Sequence, residues 1–328
     1  MLPQANENCS PPLHLDVCGK RRLSTLTQQI SAFPYIVLDV NVLRDIEKMS
    51  ELISHCEQSD LCLLLPDAVG FEQCKSIPHA FDTMSGSLML LAKHPQLVSV
   101  ARRLPDMRRE EIANKRPIET LIEQSATEIF RDTLACLDNG DDSRLREMLC
   151  GEAFENRVQE SLDLWNDYEK LRSVLKTLAT EIEHGASPEL LKRARSATGD
   201  QQSELVIEVL STQTCMAYGF QNLRRQGLTD IEAIALLRSH SIELRFLLGL
   251  FSVAAIWLCR GGLDTAKGSK ISNDLTDMEY AILASVCKRF ASDDKKALIT
   301  SQVIRVAHEN WCSKIGSLLA GDTTRKET

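Results

Sequence analysis

The chain has few of the features that mark a zinc protein, a disulfide-stabilised protein or a membrane protein. Its eleven cysteines form no Cys-x-x-Cys pair and its seven histidines form no His-x-x-x-His pair, so neither a zinc motif nor a disulfide framework is indicated. Scattered cysteines fit small buried side chains in a reducing cytoplasm, which is the location we expect. Residues 1–30 lack the apolar segment of a signal peptide. The apolar run at 246–259 is shorter than the roughly 20 residues of a membrane span, so we expect a buried helix there and no membrane association.

Aromatic residues and positive charge are also scarce. Phe, Trp and Tyr make up 5% of the 328 residues, and the formal net charge is −8. The charge argues against a basic coat over the whole surface, and the shortage of aromatic residues argues against a surface that stacks bases. The sequence therefore leaves room for a local basic groove, but it gives no sign of sequence-specific base reading.

The most informative stretch is residues 35–43, with the sequence YIVLDVNVL. A continuous apolar run that follows Pro34 predicts a strand buried on both faces of a parallel sheet. Asp39 then lies at the carboxyl end of that strand, the edge at which open parallel sheets bind ligands. The alternative interpretation is that Asp39 only caps the helix that follows.

The rest of the chain divides into an α/β part and a helical part. Apolar runs at 61–65 and 97–100 predict two more strands, whereas 105–255 is almost wholly helical in pattern, with long helices at 152–184, 201–226 and 230–259. A short helix is predicted at 23–30 and a final helix at 301–319. We therefore predict an α/β domain formed by 1–104 and 256–328, in which about the first 30 residues are peripheral. Residues 105–255 form a helical insertion domain.

Two Thr-x-x-Glu patterns predict helix starts. Thr229 with Glu232, and Thr276 with Glu279, match the capping box, in which each side chain bonds the other residue's backbone N–H. The second pattern places a helix start near Thr276, after a polar loop at 268–273. A late strand is predicted to end near Phe290.

Four acids are expected to meet at the same edge of the sheet. Asp39 follows the first strand, Glu72 lies on the helix after the second, Asp277 begins a late helix, and Asp294 follows a late strand. Carboxylate oxygens that converge in this way are the ligands that Mg²⁺ or Mn²⁺ prefers, and such ions activate water for attack on phosphorus. Taken one at a time, each of these acids has a second interpretation as a helix cap or a turn residue.

The segments that carry these acids resemble, in order, the four motifs of PIN-domain nucleases. The segments are 37–43 (VLDVNVL), 66–72 (PDAVGFE), 273–281 (NDLTDMEYA) and 290–295 (FASDDK). The resemblance implies a three-layer α/β/α fold with a central parallel sheet. It also implies that Asp39, Glu72, Asp277 and Asp294 are catalytic and hold Mg²⁺ or Mn²⁺. The large helical block between the second and third motifs departs from the family.

Four further residues are expected to contact substrate. On the same resemblance, Ser292 takes the place of the usual threonine and Asn41 that of a small polar residue near the metal. Lys295 and Lys270 lie near the predicted acids in the sequence and are placed to attract phosphate, and the alternative is that they are solvated surface lysines. Two adjacent acids are kept as second choices, Asp274 behind Asp277 and Asp293 behind Asp294.

The resemblance implies a metal-dependent endonuclease that hydrolyses phosphodiester bonds by an activated water, with RNA preferred to DNA. A role as a toxin or defence effector, held inactive by the helical block, would be in keeping with that family. The alternative is a non-catalytic PIN-like binding or regulatory protein. It would act through its helical insertion on a protein partner or a second copy of the chain.

Overall fold

The computed structural model describes residues 33–74, 79–150, 155–156, 158–159, 167–260, 262–264 and 266–323. The predicted helix at 23–30 lies outside the described residues, as does most of the first half of the predicted helix at 152–184.

Four parallel strands form the sheet. They are β1 (Tyr35–Leu38), β2 (Cys62–Leu65), β3 (Val98–Val100) and β4 (Phe290–Ala291), in the order β3-β2-β1-β4. Tyr35 pairs with Cys62, and Leu63 pairs with Val98. The central strands β1 and β2 are apolar and almost fully buried, as expected for parallel strands that are covered on both faces. The predicted parallel sheet is confirmed.

Strand β4 closes the sheet from a distant part of the chain. Val37 pairs with Phe290, and the Asp39 N–H donates to the Ala291 carbonyl at 3.0 Å. The whole helical block is therefore inserted, in the chain, between β3 and β4. This pairing brings the residues after β1 and the residues after β4 to the same edge of the sheet.

The helices of the first part alternate with the strands. They are α1 (Val40–Leu43), α2 (Ile46–Ser59), α3 (Asp67–Cys74), α4 (Ala80–Ala92), α5 (Leu104–Asn114), α6 (Gln124–Asp138) and α7 (Ser143–Cys150). A short 3₁₀ helix, Pro95–Leu97, precedes β3. Helix α4 packs against α2 and α6, and α6 also packs against β3.

Between residues 167 and 260, all of which the structure describes, the helical block continues with six more helices. They are α8 (Tyr168–Gly185), α9 (Pro188–Ser196), α10 (Gly199–Leu210), α11 (Gln213–Arg225), α12 (Asp230–Leu237) and α13 (Ile242–Cys259). The capping box at Thr229 and Glu232 is confirmed. The predicted single helices at 201–226 and 230–259 are wrong, because each is two helices. The hydroxyls of Thr212 and Ser241 accept backbone N–H groups of α11 and α13, and each begins a new helix.

The last two helices are α14 (Gly268–Cys287) and α15 (Lys295–Thr323). The predicted helix start at Thr276 is wrong, and so is the predicted loop at 268–273. Helix α14 begins at Gly268, and the Thr276 hydroxyl donates to the Ser272 carbonyl inside it. A threonine can form either this backward bond or a cap, and the Thr-x-x-Glu pattern does not distinguish them. Helix α15 begins at Lys295, earlier than predicted, and the Asp294 carboxylate accepts the Lys296 and Ala297 N–H groups at its start.

Helix α13 lies at the centre of the helical packing. It contacts α5, α8, α14 and α15, and its buried side chains belong to the same hydrophobic cluster as those of β1 and β2. By length and composition α13 could cross a membrane, but 78% of it is buried inside the protein, as in the core helix of a soluble protein. The buried helix predicted over 246–259 is confirmed, although it starts earlier. The division into two domains remains a prediction.

Candidate functional site

Asp39 is a buried acid at the carboxyl end of β1. Its carboxylate accepts the Asn41 backbone N–H at 3.3 Å as the cap of α1, so the residue has the capping role as well as the position at the sheet edge. It also accepts the Ser292 hydroxyl at 2.5 Å and the Asn41 side-chain amide at 3.5 Å. Only 4% of Asp39 is exposed, and no cation among the described residues forms an ion pair with it. Burial raises the pKa of Asp39 above its usual range.

Ser292 and Asp294 join Asp39 from the other side of the sheet edge. The Ser292 hydroxyl donates to Asp39 and accepts the Asp294 N–H at 3.0 Å, so it links the two acids. The Asp294 charge is close enough to contribute to the raised pKa of Asp39. With Asn41, the structure thus brings together four of the residues that the sequence singles out, two from the first motif and two from the fourth.

Glu72, on α3, is held by a tyrosine that the sequence reasoning did not assign a role. The Tyr280 hydroxyl on α14 donates to the Glu72 carboxylate at 2.7 Å. Tyr280 is buried, and its ring stacks on that of Phe290 in β4. Burial and the negative charges of Glu72 and Asp39 raise the pKa of Tyr280 well above its usual value. Tyr280 therefore holds the Glu72 carboxylate, and it lies close enough to Asp39 to feel the charge of that acid as well. The one sequence signal was its position three residues after Asp277, which puts both on one face of a helix.

Asp277 lies inside α14, so the prediction that it begins a late helix is wrong. Its carboxylate is 4.0 Å from the Lys296 ammonium. The same ammonium contacts Asp274, which is 5% exposed and also accepts the Trp257 indole N–H at 2.8 Å. Asp274, a second choice in the sequence, is thus the more buried of the two acids, and both lie against one lysine.

Asp293, the other second choice, points away from this group. It is exposed, and its carboxylate pairs with Lys48 at 2.7 Å on the surface. Asp294 therefore faces Asp39, while its neighbour forms a solvent-exposed ion pair.

Positive side chains surround the acids on the α14 and α15 side. Lys295 is exposed at the start of α15, and the Lys270 ammonium lies 5.6 Å from the Trp257 ring centroid. Burial, followed by the charges of Arg260 and Lys270, lowers the pKa of Lys296 to about 8. The Asp274 carboxylate in contact with it favours the charged form, so Lys296 is an ammonium at neutral pH. These cations form a local basic edge on an otherwise acidic protein.

The carboxylates near Asp39 are suitable ligands for a divalent cation, but few of them are grouped together. Within the part of the chain that the structure describes, no three His, Cys, Asp or Glu residues are grouped so that they could hold a metal ion. Mg²⁺, however, is usually bound by one or two carboxylates together with water and phosphate oxygens. Asp39 and Asp294 supply two such carboxylates, and a buried carboxylate without a cation favours a positive ligand.

An apolar cavity of about 270 Å³ lies beside α3. Leu43, Leu65, Val69 and Phe130 are among its lining residues, and Asp67 lies at its wall. Glu279 is close to Asp67, and burial together with the Asp67 charge raises the pKa of Glu279 to about 8. The sequence patterns placed Glu279 in a capping box with Thr276, and they assigned neither acid to the candidate metal site.

Comparisons with profiles of known protein families, with curated proteins and with solved structures give no match to this chain. The resemblance to PIN-domain nucleases therefore rests on the four sequence motifs.

Proposed function

We propose that the protein is a metal-dependent endonuclease that hydrolyses phosphodiester bonds, with RNA as the preferred substrate. The observation that supports this most directly is Asp39. A carboxylate that is 4% exposed and has no cationic partner among the described residues is costly in a folded protein. It stands at the edge where parallel sheets bind ligands, and a divalent cation would compensate its charge.

Each residue near Asp39 has a distinct role in this proposal. Asp39 and Asp294 would hold the cation, and Ser292 fixes both acids by donating to one and accepting the backbone N–H of the other. Tyr280 holds the Glu72 carboxylate and would orient it for the cation. When bound, Mg²⁺ or Mn²⁺ would lower the pKa of water and neutralise charge on a phosphate. No side chain has to form a covalent intermediate.

The basic edge supports a polyanionic substrate. Lys295 directly follows Asp294, and Lys270 and Arg260 are close enough to Lys296 to lower its pKa. All three could pair with phosphates in a salt-dependent manner. The preference for RNA, and a role as a toxin or defence effector, come from the resemblance to PIN nucleases.

The test is cleavage of end-labelled single-stranded RNA and DNA with Mg²⁺, with Mn²⁺ and with EDTA. We expect the wild-type protein to cut RNA internally with either ion and to lose this activity in EDTA. Asp39→Asn and Asp294→Asn should lose cleavage, whereas Asp293→Asn, which removes an exposed carboxylate next in sequence, should retain it.

Two outcomes would contradict the proposal. One is cleavage by Asp39→Asn at the wild-type rate with Mn²⁺. The other is a wild-type protein that cuts neither RNA nor DNA with either ion, which would favour a binding protein that acts through the helical block.

A further inference from the structure

Three helices contribute to one polar cluster around Lys296, which we call the lysine cluster. It consists of Lys296 on α15, Asp274 and Asp277 on α14, and Trp257 on α13. The Lys296 side chain is 26% exposed and that of Asp274 is 4% exposed. Trp257 donates to one oxygen of Asp274, and Lys296 contacts the other. Both oxygens of Asp274 are therefore occupied by donors of this chain.

The lysine cluster adjoins the candidate metal ligands. The Asp294 carboxylate accepts the Lys296 backbone N–H at 2.7 Å, so the lysine stands on the same first turn of α15 as a candidate ligand. Its side chain then extends to the two acids of the third motif. The acids of this region are thus in two sets: Asp39 and Asp294 without an ammonium among the described residues, and Asp274 and Asp277 with one.

We propose that Lys296 is a built-in cation that takes the place of a second divalent ion, so that the site holds one divalent ion rather than two. This inference rests on the proposed metal-dependent function. Two-metal sites place their ions about 3.5–4 Å apart and surround both with carboxylates. Here Asp274 and Asp277 already contact the ammonium of Lys296. A second divalent ion at Asp277 would have to displace Lys296 or bind against its positive charge.

The same contacts have a simpler interpretation, in which Lys296 only ties α15 to α14. The two interpretations differ in what happens when the charge is removed. If Lys296 only forms a structural ion pair, removal of its charge would lower the stability of the protein and change nothing else. If Lys296 takes the place of a second divalent ion, the same change would lower the stability of the protein and create a second binding site for a divalent ion.

The experiment counts Mn²⁺ bound per full-length chain at neutral pH, from the electron paramagnetic resonance signal of free Mn²⁺. We expect one ion for the wild-type protein and two for Lys296→Met. Lys192→Met is the control, because Lys192 is an exposed lysine of α9 that belongs to neither the lysine cluster nor the basic edge, and it should keep one ion. Thermal unfolding provides a second readout. Lys296→Met should melt at a lower temperature than wild type in EDTA, and Mn²⁺ should raise its melting temperature by more than that of wild type.

Lys296→Gln serves if Lys296→Met does not fold, because its amide can still donate to Asp274, and we expect two ions for it as well. Two ions on the wild-type protein, or one ion on the folded Lys296 variants, would overturn the inference and leave the proposed nuclease intact. No ion on the wild-type protein would overturn the proposed metal dependence itself.

Discussion

Replacement of Asp39 by asparagine should make the metal-free protein more stable at neutral pH, not less. Burial raises the pKa of Asp39, so the folded protein binds the proton at this carboxyl more tightly than the unfolded chain does. The contribution of Asp39 to stability therefore falls as the pH rises from the pKa of Asp39 in the unfolded chain, near 3.8, through its higher pKa in the folded protein. Above that window the cost of the buried charge is fully present, and Asp39→Asn removes it.

The size of the gain depends on two opposing quantities. Each unit by which folding raises the pKa corresponds to about 1.4 kcal/mol of free energy of unfolding. Against this, asparagine has one acceptor oxygen where aspartate has two. The bonds at risk are the long contacts from Asn41, at 3.3 and 3.5 Å, because Ser292 can turn its hydroxyl to accept the new amide. We therefore expect a net gain, which thermal unfolding would show as roughly 2 °C for each kcal/mol.

The assay is denaturant unfolding of wild type and Asp39→Asn at pH 4.0 and pH 7.5, in EDTA and in Mg²⁺. In EDTA the variant should be more stable at pH 7.5 and equal to wild type near pH 4. In Mg²⁺ the order should reverse, because only the wild type gains stability from the bound ion. Asp45→Asn is the control, and it should be less stable than wild type at pH 7.5. The Lys48 backbone N–H donates to the Asp45 carboxylate and lowers its pKa, so the charged form of Asp45 stabilises the folded protein. A less stable Asp39→Asn at pH 7.5 in EDTA would refute the reasoning.

Two further predictions concern packing and orientation. Tyr280→Phe removes a hydrogen bond to the Glu72 carboxylate, so it should lower the free energy of unfolding in guanidinium by about 1.5–3 kcal/mol; an unchanged value would mean that the bond is not formed. Gly219→Ala would place a Cβ 2.5 Å from the ring of the fully buried Trp311, and it should cost about 1–3 kcal/mol in thermal unfolding. Gly86→Ala on the exposed face of α4 meets nothing within 4 Å, and it should instead stabilise by about 0.5–1 kcal/mol. Equal effects of Gly219→Ala and Gly86→Ala on stability would contradict the close packing of Gly219 against Trp311.

The strands were the most predictable part of the fold, because a buried parallel strand has a local signature. The runs at 35–39 and 61–65 contain little but apolar residues and end at Asp39 and Pro66, and both are central strands. The order of the strands was not predictable. Strand β4 has two residues and pairs with β1 across the whole helical block, and nothing in so short a segment specifies its neighbour.

The helix boundaries were hard to predict, because the same local pattern can mark a helix start or lie inside a helix. Ser211-Thr212 and Ser241 each stand in a continuous amphipathic pattern. Ser211 is the C-cap of α10 and Thr212 the N-cap of α11, while Ser241 is the N-cap of α13, after α12 has ended at Leu237. Thr276 stands in an equally good capping pattern and lies inside a helix. Hydroxyl side chains can bond the backbone in either direction, so packing decides between the two outcomes.

The candidate site was predictable only as far as the sheet edge. Asp39, Ser292 and Asp294 meet because they follow neighbouring parallel strands, which is a general property of such sheets. Tyr280 and Glu72 meet across 208 positions between two helices, and no spacing rule indicates that pair.

The lysine cluster also links the helical block to the acids. Trp257 belongs to α13, the helix around which the block packs, and it fixes the Asp274 carboxylate that contacts Lys296. A shift of α13 would therefore move Asp274, and with it the ammonium of Lys296, whose backbone N–H donates to Asp294. The apolar side chains of the block and those of β1, the strand that Asp39 follows, also belong to one hydrophobic cluster. An insertion that only extended the surface would need neither the shared core nor a tryptophan bonded to an acid of the third motif.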